Sequence, residues 1–292
     1  MIKDYTFKFS KDNKPVYKAS KKEVLKFKTL DCFCNQVKSE EDEVGEIDFD
    51  KANPATGPVY VNGCEKGDIL VVKIIDIEVE DTGFIATIPE LGPLNKNIKP
   101  RTKMVKIKDN KAKFNQIEFE INPMIGVIGV APEGEDVPCG MWGSHGGNMD
   151  NKKITKDTTI YLPVNVDGAL LQIGDLHASM GDGEICGTGI EISGIVTVEV
   201  DVIKGKEIKR PVHETKTHYY TIANARTYDE ALKYVTEDMQ KLIMDAYGWD
   251  ETDAYMYMSV QGDVEVAQGV KPSPGDLVLR FKVPKVEGIK LI

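Results

Sequence analysis

The fold and the chemistry of this chain centre on residues 174–191, which read GDLHASMGDGEICGTGIE. The segment TTIYLPVNV precedes it at residues 158–166, and GIVTVEVDV follows it at residues 194–202. Both flanking segments are rich in β-branched residues and partly alternate between apolar and polar positions, which predicts strands. Several acids and one histidine therefore lie in a glycine-rich loop at strand ends, where glycine permits tight bends. Such a loop is more typical of a metal or catalytic site than of a packed core.

Strand-like segments recur through most of the chain, and a helical pattern is found only near its end. The strand-like segments read YTFKF (5–9), VLKFKTL (24–30), ILVVKIIDIEV (69–79) and LVLRFKV (277–283). A capping-box pair, Thr227 and Glu230, begins a run of apolar residues at helical spacing that ends before Gly248. A second short helix is predicted from 251 to 259. These patterns predict a mainly β fold, with a β-rich catalytic region at 1–220 and a small α+β portion packed on it at 221–292.

Length and charge limit the classes of function. A chain of 292 residues is long enough for about two domains. Its net charge of −10 argues against a nucleic-acid partner and favours a small neutral or cationic substrate. No apolar run is long enough to cross a membrane, and the first residues lack the apolar core of a signal peptide. With five cysteines, an odd number at loose spacing, we expect a cytoplasmic protein with reduced thiols.

The strongest chemical signal is a set of metal-ligand residue types. Asp175 and His177 are two positions apart in a predicted strand, so their side chains face the same side. A carboxylate oxygen and an imidazole nitrogen can there bind one ion at about 2.0–2.2 Å. His145, in the glycine-rich loop 140–150, is the expected third ligand, and Asp31 and Glu191 are candidates to complete the site or build another. Mixed nitrogen and oxygen ligands favour zinc, and a neighbouring all-oxygen site would suit calcium.

Cysteine chemistry is the alternative that the residues leave open. Cys32 and Cys34 would face one side of a strand and could bind a soft metal, although no second pair matches them. A cysteine amidase would use Cys139 or Cys186 as its nucleophile with a glutamate–lysine relay. Glu184 lies near Cys186 in sequence, but no lysine does.

The two remaining histidines, His213 and His218, lie in a polar segment after KRP at residues 209–211. We expect both to be surface residues.

Four long motifs resemble the acetamidase/formamidase family and occur in that family's order. They are NPATGPVYV (53–61) with the following Gly67–Asp68, GSHGGNMD (143–150), the segment 174–191, and GDV (262–264) with Gln268. The resemblance covers nearly the whole chain. Asp31 and Gln36 also match a family segment, whereas Cys32 and Cys34 are particular to this sequence.

The resemblance implies hydrolysis of short carboxamides such as formamide and acetamide to a carboxylate and ammonia. It also implies a β-sandwich or jelly-roll-like fold with a smaller β-barrel part and the small C-terminal α+β portion. Members are commonly oligomeric, so we expect a homodimer or a higher homo-oligomer.

These observations combine into one mechanistic hypothesis. Asp31, His145, Asp175, His177 and Glu191 hold a divalent ion, with zinc favoured. Glu184 acts as general base and then as acid, and His145 and Asp175 are also catalytic. Backbone N–H groups of the loop 143–147 stabilise the oxyanion. The alternative is a non-catalytic β-module that binds a structural ion or a small ligand.

Overall fold

The computed structural model of the protein describes residues 1–273 and 275–292. Three short 3₁₀ turns cover Val44–Glu46, Phe49–Lys51 and Asn95–Asn97. The two α-helices are α1 (Tyr228–Tyr247) and α2 (Glu251–Gln261). The strands, in chain order, are β1 (Tyr5–Thr6), β2 (Lys8–Phe9), β3 (Tyr17–Ala19), β4 (Glu23–Thr29), β5 (Ala55–Val61), β6 (Ile69–Val79), β7 (Thr82–Thr87), β8 (Arg101–Lys108), β9 (Lys111–Phe114), β10 (Ile117–Glu120), β11 (Met124–Gly129), β12 (Val137–Pro138), β13 (Trp142–Gly143), β14 (Gly146–Asn148), β15 (Thr159–Pro163), β16 (Leu171–His177), β17 (Glu191–Ile192), β18 (Gly194–Ile203), β19 (Val212–Glu214), β20 (His218–Ala225), β21 (Asp263–Gln268) and β22 (Leu277–Pro284).

Two large sheets make up most of the molecule. One has twelve strands and follows the order β10-β9-β8-β7-β17-β16-β11-β14-β13, with β5 also pairing with β16 and carrying β1 and β3. The other has eight strands in the order β21-β22-β20-β19-β15-β6-β18-β4. Between the strands of the described chain the pairings are antiparallel, apart from the parallel pairing of β3 with β5. A small two-stranded sheet joins β2 and β12.

The two large sheets share one hydrophobic core. Ile125, Ile128 and Ile173 of the twelve-stranded sheet lie in the same buried cluster as Val72 and Val196 of the eight-stranded sheet. Burying both inner faces in this way is what holds sandwich architectures together. Every residue of β16 is buried, so the strand that leads into the segment 174–191 is fixed in the middle of the molecule.

The helices form a third layer on the outer face of the eight-stranded sheet. Helix α1 begins at the predicted cap, where the Thr227 side chain accepts a hydrogen bond from the Glu230 N–H, and ends at Gly248 in a left-handed conformation. Its apolar face, including Val235 and Met239, packs against the sheet together with Leu279. The predicted helices are therefore confirmed at nearly their predicted bounds.

The mainly β class and the small C-terminal α+β portion are confirmed. Among the described residues the strands form open sheets and no closed barrel, so the smaller barrel part is not observed. The eight-stranded sheet runs across the expected boundary at residue 220, because β20 and β22 continue it. The division into two regions stays a prediction. No helix of the described chain is long and apolar enough to cross a membrane.

The surface assignment of His213 is wrong. Its side chain is fully buried in β19, because the ring stacks on Tyr220 at 4.6 Å between centroids and its Nε2 lies 3.3 Å from the Asn151 amide nitrogen. His218 is only partly buried. The polar sequence around His213 concealed that β19 lies between β15 and β20, inside the sheet.

This burial predicts an acid-sensitive fold. Burial and the nearby Arg280 charge lower the pKa of His213 to about 3, from about 6.5 in the unfolded chain. Between these values the unfolded state binds the extra proton, so this residue should reduce the free energy of unfolding by about 1.4 kcal/mol per pH unit as the pH falls. Urea unfolding from pH 7 to pH 4 should show a shallower pH dependence for His213→Gln than for the wild type. An unchanged slope would contradict the assignment, and His218→Gln serves as the partly buried control.

Candidate metal and active site

The site is built at the end of β16, where β17 pairs beside it. His177 and Glu191 are direct partners in this antiparallel ladder, so their side chains lie next to each other on one face. The His177 Nε2 lies 3.1 Å from the Glu191 Oε2. The other Glu191 oxygen accepts a hydrogen bond from the Gly189 N–H at 2.8 Å. The last residue of the segment 174–191 is therefore folded back onto its only histidine.

Asp175 joins this pair through an unusual backbone conformation. Its φ is +51°, although it lies within β16, and its Oδ1 is 3.4 Å from the His177 Nε2. Its Oδ2 accepts a hydrogen bond from the Asn53 side-chain amide at 3.2 Å. Asp150 and Glu184 also have positive φ values, +39° and +44°. Non-glycine residues are rarely held there, and such strain concentrates at functional sites.

Gly126 of β11 lies directly against two of these carboxylates. A Cβ at this position would lie 2.6 Å from the Asp175 Oδ2 and 2.7 Å from the Asp150 Oδ1. We expect Gly126→Ala to displace both carboxylates and to cost about 1–3 kcal/mol in stability. Urea unfolding measures this cost. The control is Gly134→Ala, where an added Cβ meets nothing within 4 Å. Wild-type stability in Gly126→Ala would refute this geometry.

The C-terminal strands complete the cluster from the other side. The Gln268 amide nitrogen donates hydrogen bonds to the Asp150 Oδ2, at 3.3 Å, and to the Glu184 Oε2. The backbone of Gly183 is tied to the same strand, since its N–H donates to the Ala267 carbonyl and its carbonyl accepts from the Gly269 N–H. Gln268 therefore holds Asp150 and Glu184 together, on the side of the cluster where Glu184 lies 3.8 Å from the His177 Nε2.

Burial and mutual repulsion shift the protonation of these groups. Burial alone would lower the pKa of His177, but the charges of Glu191 and Asp175 raise it well above its ordinary value. Burial raises the pKa of Glu184 well above its usual range, and the Asp150 charge adds to the effect. Burial also raises the pKa values of Asp150 and Glu191. Four carboxylates thus surround a single imidazole, which leaves an excess of buried negative charge.

This arrangement has the chemistry of a cation site. The Asp150, His177 and Glu184 donor atoms lie within 4.8 Å of one another, and so do those of Cys32, Asp175 and Glu191. Among the described residues, Asp150 Oδ1, Asp175 Oδ1 and Glu191 Oε2 are buried oxygens without a well-aligned hydrogen bond. Buried carboxylates are ordinarily paired or bound to metal. The residues present therefore fit a divalent ion.

Two of the expected ligands lie apart from these groups of donors. The Asp31 Oδ1 accepts hydrogen bonds from the Phe33 and Asn35 N–H groups and so closes a turn, and burial raises the pKa of Asp31 to about 6. His145 belongs to neither group; its ring packs edge-on against Phe9 at 5.0 Å, and burial lowers its pKa to about 4. Their roles as ligands stay predictions. The loop 143–147 forms a β-hairpin, in which Gly143 pairs with Gly146.

Cys32 and Cys34 do not form the pair considered from the sequence. Cys32 is buried beside Asp175 and Glu191, whereas Cys34 turns away toward the Tyr5 hydroxyl at 3.9 Å, so the two sulfurs do not face one side of a strand. The segment is a turn rather than a strand. Burial raises the pKa of Cys139 to about 12, which opposes formation of a nucleophilic thiolate. Cys186 is 3.8 Å from the Ala86 carbonyl and 3.6 Å from that of Thr188.

Three residues of the cluster were not predicted from the sequence. Asp150 ends the glycine-rich loop, and its position directly after GGNM was the available signal. Asn53 and Gln268 lie in motifs that carry the family resemblance, but the residue pattern does not mark either of them as a partner of the carboxylates. Only the pairing of β5 and β21 with other parts of the molecule brings them to the carboxylates.

Comparison with known proteins agrees with this architecture. The family model described as the acetamidase/formamidase family matches residues 4–137 and 137–279. The chain belongs to the acetamidase/formamidase family. The crystal structure of an acetamidase from Bacillus halodurans is similar with a TM-score of 0.93 and 40% identity, over 97% of this chain and 96% of that one. A recombinant protein assigned to acetamidase/formamidase from Thermoanaerobacter tengcongensis matches with a TM-score of 0.93 and 42% identity, over 97% and 94% of the two chains.

A protein of Schizosaccharomyces pombe provisionally named a formamidase is 27% identical over 248 residues. That match covers 62% of this chain and 60% of the S. pombe protein. The chain thus spans less than two thirds of this curated member of the acetamidase/formamidase family, although it covers nearly the whole of the solved bacterial structures.

Proposed function

We propose that this protein hydrolyses short-chain carboxamides, such as formamide and acetamide, to a carboxylate and ammonia with the help of a divalent metal ion. The observation that carries the proposal is the buried cluster of four carboxylates around His177, with oxygens left unpaired in a member of the acetamidase/formamidase family. The relatives named acetamidase and formamidase support the substrate class.

Each group of residues has a defined task in this reaction. His177, Asp150, Asp175 and Glu191 would hold the ion. When bound, the metal supplies Lewis acidity, which polarises the amide carbonyl and makes a water molecule a better nucleophile. Glu184 accepts the proton of the attacking water and delivers it to the departing nitrogen, as its raised pKa favours.

Hydrogen bonds keep these groups in place during the reaction. The Gln268 side-chain amide donates a hydrogen bond to the Glu184 Oε2, so the Glu184 Oε1 is free to carry the proton. The Asn53 side-chain amide donates a hydrogen bond to the Asp175 Oδ2, which leaves the Asp175 Oδ1 directed toward His177. Such fixed polar groups need little reorganisation when charge develops on the substrate.

Substrate is proposed to approach from the side of Glu184. This residue is itself 7% exposed, but the next residue, Ile185, is 62% exposed and Gly181 and Asp182 are also exposed. The cavities of about 550 and 360 Å³ at the surface lie against the helices and are lined by other residues.

The direct test measures ammonia release from formamide and acetamide by the purified protein. We expect turnover that is lost after treatment with a chelator and restored by added zinc. Metal analysis of the treated protein is the control. Full turnover by protein verified to be metal-free would overturn the metal's role, and no turnover with any short amide at any metal content would overturn the hydrolase itself.

A non-catalytic, ion-binding module is the second candidate, because the cluster is almost closed to solvent. It predicts a bound ion that stabilises the fold without ammonia release. The choice of zinc, an added calcium ion, homo-oligomeric assembly and a cytoplasmic location remain predictions from the sequence.

A further inference from the structure

A cysteine lies among the acids of the site, and the mechanism above does not use it. The Cys32 sulfur, an Asp175 oxygen and a Glu191 oxygen lie within 4.8 Å of one another. All three side chains are at most 5% exposed. The remaining described cysteines lie outside both groups of donors, so Cys32 alone combines a thiol with carboxylates.

The backbone fixes Cys32 in this position. Its carbonyl accepts a hydrogen bond from the Asn53 N–H at 2.6 Å, and the Asn53 side chain in turn binds the Asp175 Oδ2. The turn that follows is closed by Asp31, which accepts from the N–H groups on either side of Cys34. Asn53 therefore fixes the positions of both the Cys32 thiol and the neighbouring Asp175 carboxylate.

Unpaired carboxylate oxygens point to a ligand at this place. The Asp175 Oδ1 and the Glu191 Oε2 are buried, converge on the His177 ring, and lack a well-aligned hydrogen bond within the described chain. A cation bound between these oxygens would also meet the Cys32 sulfur, because metal binding releases the thiol proton and leaves a thiolate beside a positive ion.

We propose that Cys32 is a direct metal ligand, which together with Asp175 and Glu191 makes this part of the site selective for a thiophilic cation such as zinc over calcium or magnesium. Thiolate ligands favour zinc, whereas calcium and magnesium take oxygen. The inference rests on the metal site proposed above and adds to it a sulfur ligand.

The proposal is tested by X-ray absorption at the zinc edge. The sample is the full chain with zinc bound and excess zinc removed. We expect a sulfur scatterer at about 2.3 Å beside nitrogen and oxygen scatterers at about 2.0–2.2 Å. Only nitrogen and oxygen scatterers in the wild type would overturn the proposal, and this measurement needs no variant. Cadmium titration should likewise produce a thiolate-to-metal charge-transfer band, and its absence would count against a sulfur ligand.

Variants identify the sulfur. Cys32→Ser should lose the sulfur scatterer and the cadmium band, and should bind zinc more than about 100-fold more weakly, since even outer-shell changes cost about 10–100-fold. Cys139→Ser is the matched control, a buried thiol with no carboxylate donor nearby, and should retain both signals. Loss of the signals in the control, or their retention in Cys32→Ser, would overturn the assignment.

The test of Cys32 as a ligand can fail or succeed independently of the test of the proposed function. Metal-dependent ammonia release without a sulfur scatterer would leave the hydrolase standing and remove Cys32 from the ligand set. A sulfur scatterer in a protein that releases no ammonia would leave the metal site standing and remove the hydrolase.

Discussion

Replacing Glu184 with glutamine is expected to lower kcat for formamide by about 10²–10⁴-fold, the usual contribution of a positioned general acid–base group. The carboxylate is buried, lies 3.8 Å from the His177 Nε2 and has a raised pKa because of burial and the Asp150 charge. Glutamine keeps the size of the side chain and an oxygen that can accept the hydrogen bond from Gln268. It removes the negative charge and the ability to take up and release a proton.

Steady-state kinetics separate this role from a structural one. For a group that acts in the chemical step, kcat should fall while KM changes little. The pH dependence of kcat should also lose the limb that reports the base. Glu118→Gln, an exposed glutamate on β10, is the control and should match the wild type. Turnover within a few-fold of wild type in Glu184→Gln would eliminate this residue as the base.

Replacing Arg280 with methionine is expected to destabilise the fold by about 3 kcal/mol and to lower the rate of amide hydrolysis. The Arg280 side chain is fully buried and donates to the Asp182 Oδ2 at 2.7 Å, the Glu265 Oε2 at 2.6 Å and the Asn151 Oδ1 at 2.8 Å. Removing one partner of a buried ion pair costs about 3–5 kcal/mol. We expect a cost at the lower end of this range because Asp182 and Glu265 retain some contact with water.

The effect on rate follows from where the partners lie. Asp182 is two residues before Glu184, and Asn151 follows Asp150, so one guanidinium holds the backbone beside two residues of the cluster. Urea unfolding and kinetics on Arg280→Met should both change, and Arg280→Lys should recover only part, since an ammonium lacks the planar fork. Lys282→Met, which removes a partly exposed partner of the same Glu265, should cost less than about 1 kcal/mol. Equal effects of Arg280→Met and Lys282→Met would refute the bridging role.

The sequence predicted those features that depend on local patterns. Helix α1 was predictable because its cap, its apolar spacing and its terminal glycine all lie within 22 residues. Asp175 and His177 were predictable as neighbours because the period of a strand places alternate residues on one face. Glu191 was a candidate from its place in the same glycine-rich segment, and its ladder pairing with His177 explains the contact.

Some features were decided by tertiary contacts, and the sequence misled on two of them. His213 looks exposed from its polar neighbours, yet β19 is enclosed between β15 and β20. Cys32 and Cys34 look like a pair on a strand, yet the chain turns between them because the Asp31 carboxylate binds the N–H groups of Phe33 and Asn35.

By itself, the sequence determined the β-rich class, the two helices, the family and the segment that carries the chemistry, because each is encoded in short-range periodicity or in contiguous motifs. Only the tertiary structure decided that Asp150, Gln268 and Cys32 join His177 and Glu191. These residues are far apart in sequence and meet because antiparallel pairing brings β11, β16 and β17 side by side and the turn after β4 and the end of β21 lie against them. A ligand shell gathered from distant segments has no local signature, since its members are related only by the folded backbone.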